Sequence, residues 1–279
     1  MRSPQDGREP ASASSGLAAD GTAADAPTNA AIPMQTANVT LRVGGKRVAF
    51  RFDVPSIPIE STSLLPLFRS ITDTLVEVAA EETRARGLSI SCRKGCGACC
   101  RQLVPVSEME VIAIRRLVAS LPEPRRATVI ERFEHGVARL GDAGLVETLR
   151  HPESVDAEKA EQVGLDYFAQ GVACPFLDDE SCSIHAERPL ACREYLVTSP
   201  ASHCAHPSSD RVQCVPVPAK PSRAVRRIDS EQAPDFEPWI PMILALDWPV
   251  AERSPQNGTS MVARAFAHLT GKEIPTPDR

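Results

Sequence analysis

The spacing of apolar residues changes period along the chain, and each change marks an element. From Asn38, apolar and polar residues alternate: Val39, Leu41 and Val43, then Gly44-Gly45, then Val48, Phe50 and Phe52. A period of two around a pair of glycines predicts a β-hairpin with a tight turn. A lone hairpin is marginal in water, so its apolar face is expected to lie on the helices that follow. The period then lengthens. Leu64, Leu67, Phe68, Ile71, Leu75 and Val78 recur at three and four residues, which is one face of a helix. Ser63 is its expected N-cap, Pro66 sits harmlessly in the first turn, and Gly87 is a natural stop.

Further helices follow from the same period. Ser107 and Glu110 match a capping box ahead of Val111, Ile114, Leu117 and Val118, and Pro122 ends that helix. Val129, Phe133, Val137 and Leu140 predict a helix over 127–140, with Gly141 at its end. Residues 142–153 are ambiguous. A weaker helix over 157–170 ends in Tyr167 and Phe168, and Gly171 stops it. The apolar run over 239–248 predicts a buried helix or an anchor, and a last helix fits 261–269, with Ser260 as cap and Gly271 as stop. The predicted fold class is mainly α with a small N-terminal β-hairpin, and with an irregular cysteine-rich metal-binding core held between helices.

Two stretches lack any period. Residues 1–37 are rich in Ala, Ser, Asp, Gly, Thr and Pro and cannot bury enough apolar surface to order themselves, so a disordered tail is expected. From Val215 the sequence turns Pro-rich and reads as an extended linker. The expected organisation is a tail over 1–37, a helical cysteine-cluster domain over 38–214, and a linker with a C-terminal helical extension over 215–279.

Composition narrows the classes of function. Hydrophobic residues make up 42% of the 279, enough for a packed core, and the formal charge is −5. With no long basic block, nucleic acid is not an expected partner. No apolar run approaches a membrane span and no secretory h-region is visible, so no membrane partner and a cytoplasmic location are expected. In that compartment nine cysteines point to metal rather than to disulfides.

The cysteines carry the candidate chemistry. Cys92, Cys96, Cys99 and Cys100 fall within nine residues, with Gly95 and Gly97 letting the backbone turn around a small centre. Short spacings gather ligands at little loop-closure cost. Cys174, Cys182, Cys192 and Cys204 follow after the predicted helices, which act as an insertion returning the chain to the first group. Eight thiolates suit two four-ligand centres, or one centre with spare thiols. The adjacent Cys99 and Cys100 are expected to serve different centres. Two divalent ions on eight thiolates would carry a charge of about −4, by simple addition once every ligand is deprotonated. Arg93, Lys94, Arg101, Arg188 and Arg193 stand beside the cysteines in sequence and could offset it. His203 could replace Cys204 as a ligand; His206 and Cys214 are weaker candidates. Zinc and iron, including a 4Fe-4S cluster, both suit thiolate coordination, and the spacing does not choose between them. There is no Ser-His-Asp order, no phosphate-binding glycine loop and no partnered carboxylate pair, so no catalytic residue is assigned.

The runs C-R-K-G-C-G-A-C-C, C-P-F-L and C-S-I-H-A-E-R-P-L-A-C-R-E-Y together resemble the bacterial YkgJ-type cysteine-cluster family over 92–204. The resemblance implies a zinc- or iron-chelating domain, related to flagellin lysine N-methylases. It carries over Cys92, Cys96, Cys99, Cys100, Cys174, Cys182 and Cys192 as ligands, with Cys204 as a further family cysteine. His185 departs from the family, which usually has Tyr there, and is placed beside the centre with Arg93, Arg101, Arg188 and Arg193. The expected function is metal chelation in which the ion folds the segment around it. An iron–sulfur redox or radical enzyme is the first alternative, and a protein-lysine methyltransferase the second.

Overall fold

The alternation near the N-terminus builds β1 (Met34–Val43) and β2 (Lys46–Pro55), antiparallel from Met34 opposite Pro55 to Val43 opposite Lys46. The computed structural model describes residues 32–43, 45–208, 210–228 and 238–271, with Ala157 by its backbone alone. Most of the expected tail and Gly44 lie outside these residues. The hairpin starts four residues before the expected boundary, because Met34–Ala37 find backbone partners in 52–55 that composition does not reveal. Gly45 adopts φ +84°, the left-handed conformation that a tight turn needs. Leu41, Val43 and Val54 are buried, and Phe52 stacks on Phe266 with ring centroids 5.8 Å apart.

A short strand, β3 (Pro58–Ile59), and a 3-10 turn over Ser61–Leu64 lead into α1 (Leu65–Ala85). Ser63 does not cap this helix. The 3-10 turn already engages the chain there, with Ser63 N donating to Glu60 O, and Leu64 takes the cap position. Leu65, Phe68, Ile71, Leu75 and Ala79 form the buried face, and Gly87 ends the helix at φ +79°.

Beyond the first cysteine group come β4 (Pro105–Val106) and α2 (Glu108–Ser120). The predicted capping box is present: Glu110 N donates to Ser107 Oγ (3.3 Å), and Ser107 N donates to Glu110 Oε2 (2.9 Å). Next, α3 (Arg125–Asp142) extends past both expected ends, so Gly141 lies inside it and Gly144, at φ +73°, makes the turn. The unassigned stretch holds α4 (Val146–Arg150) and a 3-10 turn over Pro152–Ser154, both too short to show a period. It is followed by α5 (Ala157–Ala169), the hairpin β5 (Leu177–Asp178) and β6 (Ser181–Cys182), and the single turn α6 (Leu190–Glu194). The chain closes with α7 (Pro221–Ile228), β7 (Ile240–Pro241), β8 (Gln256–Asn257) and α8 (Gly258–Thr270). Asn257 rather than Ser260 caps α8, accepting from Ser260 N at 3.2 Å. β3 pairs with β8, and β4 with β7.

Burial divides the molecule into two main cores. One gathers α2 to α5 with residues 240–245, around Phe133, Leu140, Leu149, Phe176 and Ile243. The other gathers the hairpin, α1, α7 and α8, around Phe68, Leu75, Val225 and Phe266. Met109 and Leu190 belong to the second core although α2 mostly serves the first, so α2 and α6 stand where the two meet. The Pro-rich stretch after Cys214 is packed, with Val215 and Val217 buried against Ala79. The described residues hold eight α-helices and the small N-terminal strand pair, in agreement with the mainly α expectation. None of the described helices is long and apolar enough to cross a membrane.

Candidate metal centre

The first cysteine group is a chain of tight turns. Cys96 N donates to Arg93 O, Cys100 N to Gly97 O, and Gln102 N to Cys99 O, with Gly95 at φ +79°. Both ends of the loop are fastened to the returning segment. Ser91 N donates to Val197 O (2.9 Å) at one end, and Cys174 N donates to Cys100 O (2.7 Å) at the other. The β5–β6 hairpin presses on the middle. A Cβ on Gly97 would lie 2.8 Å from Leu177 Cδ1 and 3.0 Å from Glu180 O, so the loop and hairpin approach this closely only because position 97 is glycine. Asp179 and Glu180 both turn with positive φ, and Arg101 holds that turn through Glu180 Oε1 (2.6 Å) while also donating to Gly97 O (3.0 Å).

This fastening places Cys92, Cys96, Cys99, Cys100, Cys174, Cys182, Cys192 and Cys204 around one cavity of about 990 Å³. The ninth cysteine, Cys214, is exposed and outside it, in a bridge with Val197. Cys100 donates its S–H to Cys99, which brings Cys99 down to about 7 and pushes Cys100 up. Burial pushes Cys174 up to about 12 and Cys204 to about 11, and raises Cys92, Cys182 and Cys192. Backbone N–H groups also reach sulfur: Cys92 from Val197 (3.4 Å), Cys174 from Phe176, Cys182 from Ile184 and Cys99 from its own N–H. Such donors stabilise the thiolate and tune a metal bound to it.

The thiols fall into two overlapping neighbourhoods. Cys204 feels Cys92, Cys99, Cys96 and, least, Cys214, whereas Cys192 feels Cys174, Cys99 and Cys182, and Cys100 feels Cys99, Cys174 and Cys182. Cys99 stands at the overlap. Among the described residues no three His, Cys, Asp or Glu side chains converge closely enough to hold an ion, so the expected metal-binding core is not shown; the eight thiols line a cavity instead. The donor set itself fits a thiophilic metal such as zinc or iron. Arg188 Nε is buried beside it with no hydrogen-bond partner.

Residues 91–214 match the CxxCxxCC family, described as a "putative zinc- or iron-chelating domain". This segment is a CxxCxxCC domain. The resemblance to the YkgJ-type family agrees with that assignment. The hairpin, α1, α7 and α8 lie outside the match. Comparison with curated proteins and with solved structures returns no match.

Within the CxxCxxCC domain the charged neighbours take different places. Arg93 and Lys94 line the cavity from its exposed side, and so does His185, which the nearby Arg188 guanidinium holds below the usual histidine range. Arg188 also acts on Cys92, Cys99 and Cys182. Arg101 spends its hydrogen bonds on Gly97 O and Glu180, and Arg193 on Asp73 (2.8 Å), Arg188 O and Ala186 O, with none to sulfur. Arg193 follows Cys192 on a one-turn helix, which turns the two side chains apart by about 100°. His203 Nδ1 sits on Arg211 O, and His203 and His206 do not line the cavity.

Sequence reasoning did not reveal the long-range contacts of three residues of the CxxCxxCC domain. Glu110 does more than cap α2, because its Oε1 accepts from Leu190 N (2.8 Å) and so also caps α6, which carries Cys192. Glu194, at the other end of α6, accepts from Ser222 N (2.8 Å) and Oγ (2.6 Å) and ties that turn to α7. Gly97 is the third. Its neighbours Leu177 and Glu180 lie some eighty residues away, so no local signal announces the contact.

Proposed function

We propose that the CxxCxxCC domain binds zinc or iron, the latter as ions or as an iron–sulfur cluster, through two sets of four thiolates. Cys92, Cys96, Cys99 and Cys204 form one set; Cys100, Cys174, Cys182 and Cys192 form the other. The observation that carries the reading is the gathering of eight cysteines, drawn from segments far apart in sequence, around one cavity that excludes the ninth. The two thiol neighbourhoods share Cys99 and otherwise follow this division; the adjacent Cys99 and Cys100 are placed in different sets because neighbouring cysteines rarely serve one ion. All nine cysteines are free, which fits a reducing, cytoplasmic setting.

Anaerobic purification followed by zinc, iron and sulfide analysis and visible spectroscopy tests this. The expected result is stoichiometric metal, lowered by about half in Cys204→Ser and in Cys182→Ser and abolished in the double variant. Brown protein with iron and sulfide identifies a cluster; colourless protein with zinc identifies zinc. Metal-free protein, or metal content indifferent to both substitutions, refutes the reading.

A further inference from the structure

The cysteine cavity exceeds what metal alone would fill, and its charge runs against that of the chain. Thiolates hold an ion at about 2.3 Å, so even two centres claim a small part of about 990 Å³. That volume lies at the upper end of small-molecule sites, roughly 300–1,000 Å³. The chain carries 36 acidic and 31 basic residues. Six Arg and Lys side chains nevertheless line this cavity against a single carboxylate, Glu194. That carboxylate is turned into the protein, with both oxygens accepting from Ser222.

Arginines elsewhere on the surface face acids: Arg84 pairs with Glu77, Arg125 and Arg132 with Asp178, and Arg253 with Glu108. Among the described residues Arg93, Lys94 and Arg188 have no such ion pair. Arg188 goes further, since its buried Nε lacks any hydrogen-bond partner. A buried donor without an acceptor is costly, and a guanidinium best repays an acceptor with two oxygens in one plane.

We propose that this cavity binds a small oxyanion ligand, bearing carboxylate or phosphate, beside the thiols. Arg188 is its buried anchor, and Arg93, Lys94 and Lys220 form its cationic rim. The proposal rests on the metal-binding reading for what lies next to the anion, while the anion's own contacts are to Arg and Lys.

Isothermal titration of the full chain, as purified with its metal, against citrate and against inorganic phosphate is the test. Metal content is measured before and after, because citrate itself chelates. Saturable binding of at least one anion is expected, and the stronger of the two identifies the ligand's chemistry. Arg188→Gln should weaken it about tenfold or more, the loss of a charge-assisted hydrogen bond. Lys94→Gln, at an exposed position, should weaken it severalfold, and the remote Arg84→Gln should leave it unchanged. If the cations serve only to offset thiolate charge, neither anion binds with saturation, or binding is indifferent to Arg188→Gln and Lys94→Gln; either result overturns the proposal. Protein that proves metal-free but shows Arg188-dependent anion binding would sink the metal reading and leave the anion site standing.

Discussion

Replacing Glu110 with alanine tests how the fold positions the cysteine cavity, because one carboxylate there serves two helices. Oε2 accepts from Ser107 N and Ser107 Oγ, both at 2.9 Å, and Oε1 accepts from Leu190 N at 2.8 Å. Ser107, Glu110 and Leu190 are all less than 5% exposed, so water cannot readily substitute. The alanine variant strands two buried backbone donors. Each unsatisfied buried group costs about 1–3 kcal/mol, which sums to about 2–6 kcal/mol. Ser107→Ala removes only the α2 cap, at about 0.5–2 kcal/mol. Glu110→Gln keeps one carbonyl oxygen for two donors and should fall between them. Urea unfolding of all three variants reads the order directly, as midpoint shifts at constant slope. Metal analysis adds a second reading. Leu190 opens the turn that carries Cys192, so Glu110→Ala should also lose metal while Ser107→Ala retains it. If Glu110→Ala costs no more than Ser107→Ala, the bond to Leu190 contributes nothing and the reasoning fails.

Two further outcomes follow from the geometry of the cavity. Gly97→Ala places a Cβ 2.8 Å from Leu177 Cδ1 and 3.0 Å from Glu180 O; overpacking of about 1–3 kcal/mol should outweigh the gain of about 0.4–1 kcal/mol from a stiffer unfolded chain. Thermal unfolding should show a lower midpoint, and an equal or higher one would mean that the loop and hairpin do not press together. Because burial pushes Cys174 to about 12 and Cys204 to about 11, these thiols are protonated near neutrality and must release protons to bind metal. Metal affinity should therefore rise with pH, and the binding enthalpy should vary with the ionisation enthalpy of the buffer; an enthalpy independent of buffer would refute this.

Local patterns were the legible part of the fold. The capping box at Ser107 and Glu110, the apolar face of α1 and the alternation of the hairpin each involve residues within a few positions of one another, where period and cap chemistry act. Helix ends were less legible. Gly141 looked like a stop, but a glycine inside α3 is tolerated when the next turn supplies Gly144 at positive φ. Val215 and Val217 looked like linker because prolines surround them, yet alternate residues of an extended chain face one side and find Ala79. The eight cysteines singled out in the sequence all line one cavity. Two of the arginines beside the cysteines, Arg101 and Arg193, spend their hydrogen bonds elsewhere. Adjacency in sequence says nothing about direction on a helical turn, so Arg193 reaches Asp73 while Arg188 stays beside the thiols.

The division of labour between packing and metal follows from loop lengths. Bringing Cys174 back to Cys100 closes a loop of seventy-odd residues, at an entropic cost of roughly 4 kcal/mol beyond a constant. In a small metal-folded domain the ion meets such a cost, because there is little core to do so. Here the loop is itself a packed core. Fully burying a side chain such as Phe133, Leu140, Leu149 or Phe176 is worth about 1.5–3 kcal/mol each. That burial contributes to closing the loop, although it must also offset the ordering of the helices themselves. Closure is thus carried by apolar contacts and by the backbone bond from Cys174 N to Cys100 O. An ion bound at the cavity then has only short loops left to order, the turns of 92–100 and of 182–192. On the proposed function, its binding free energy would then go to affinity and to drawing the thiols together rather than to closing the long loop.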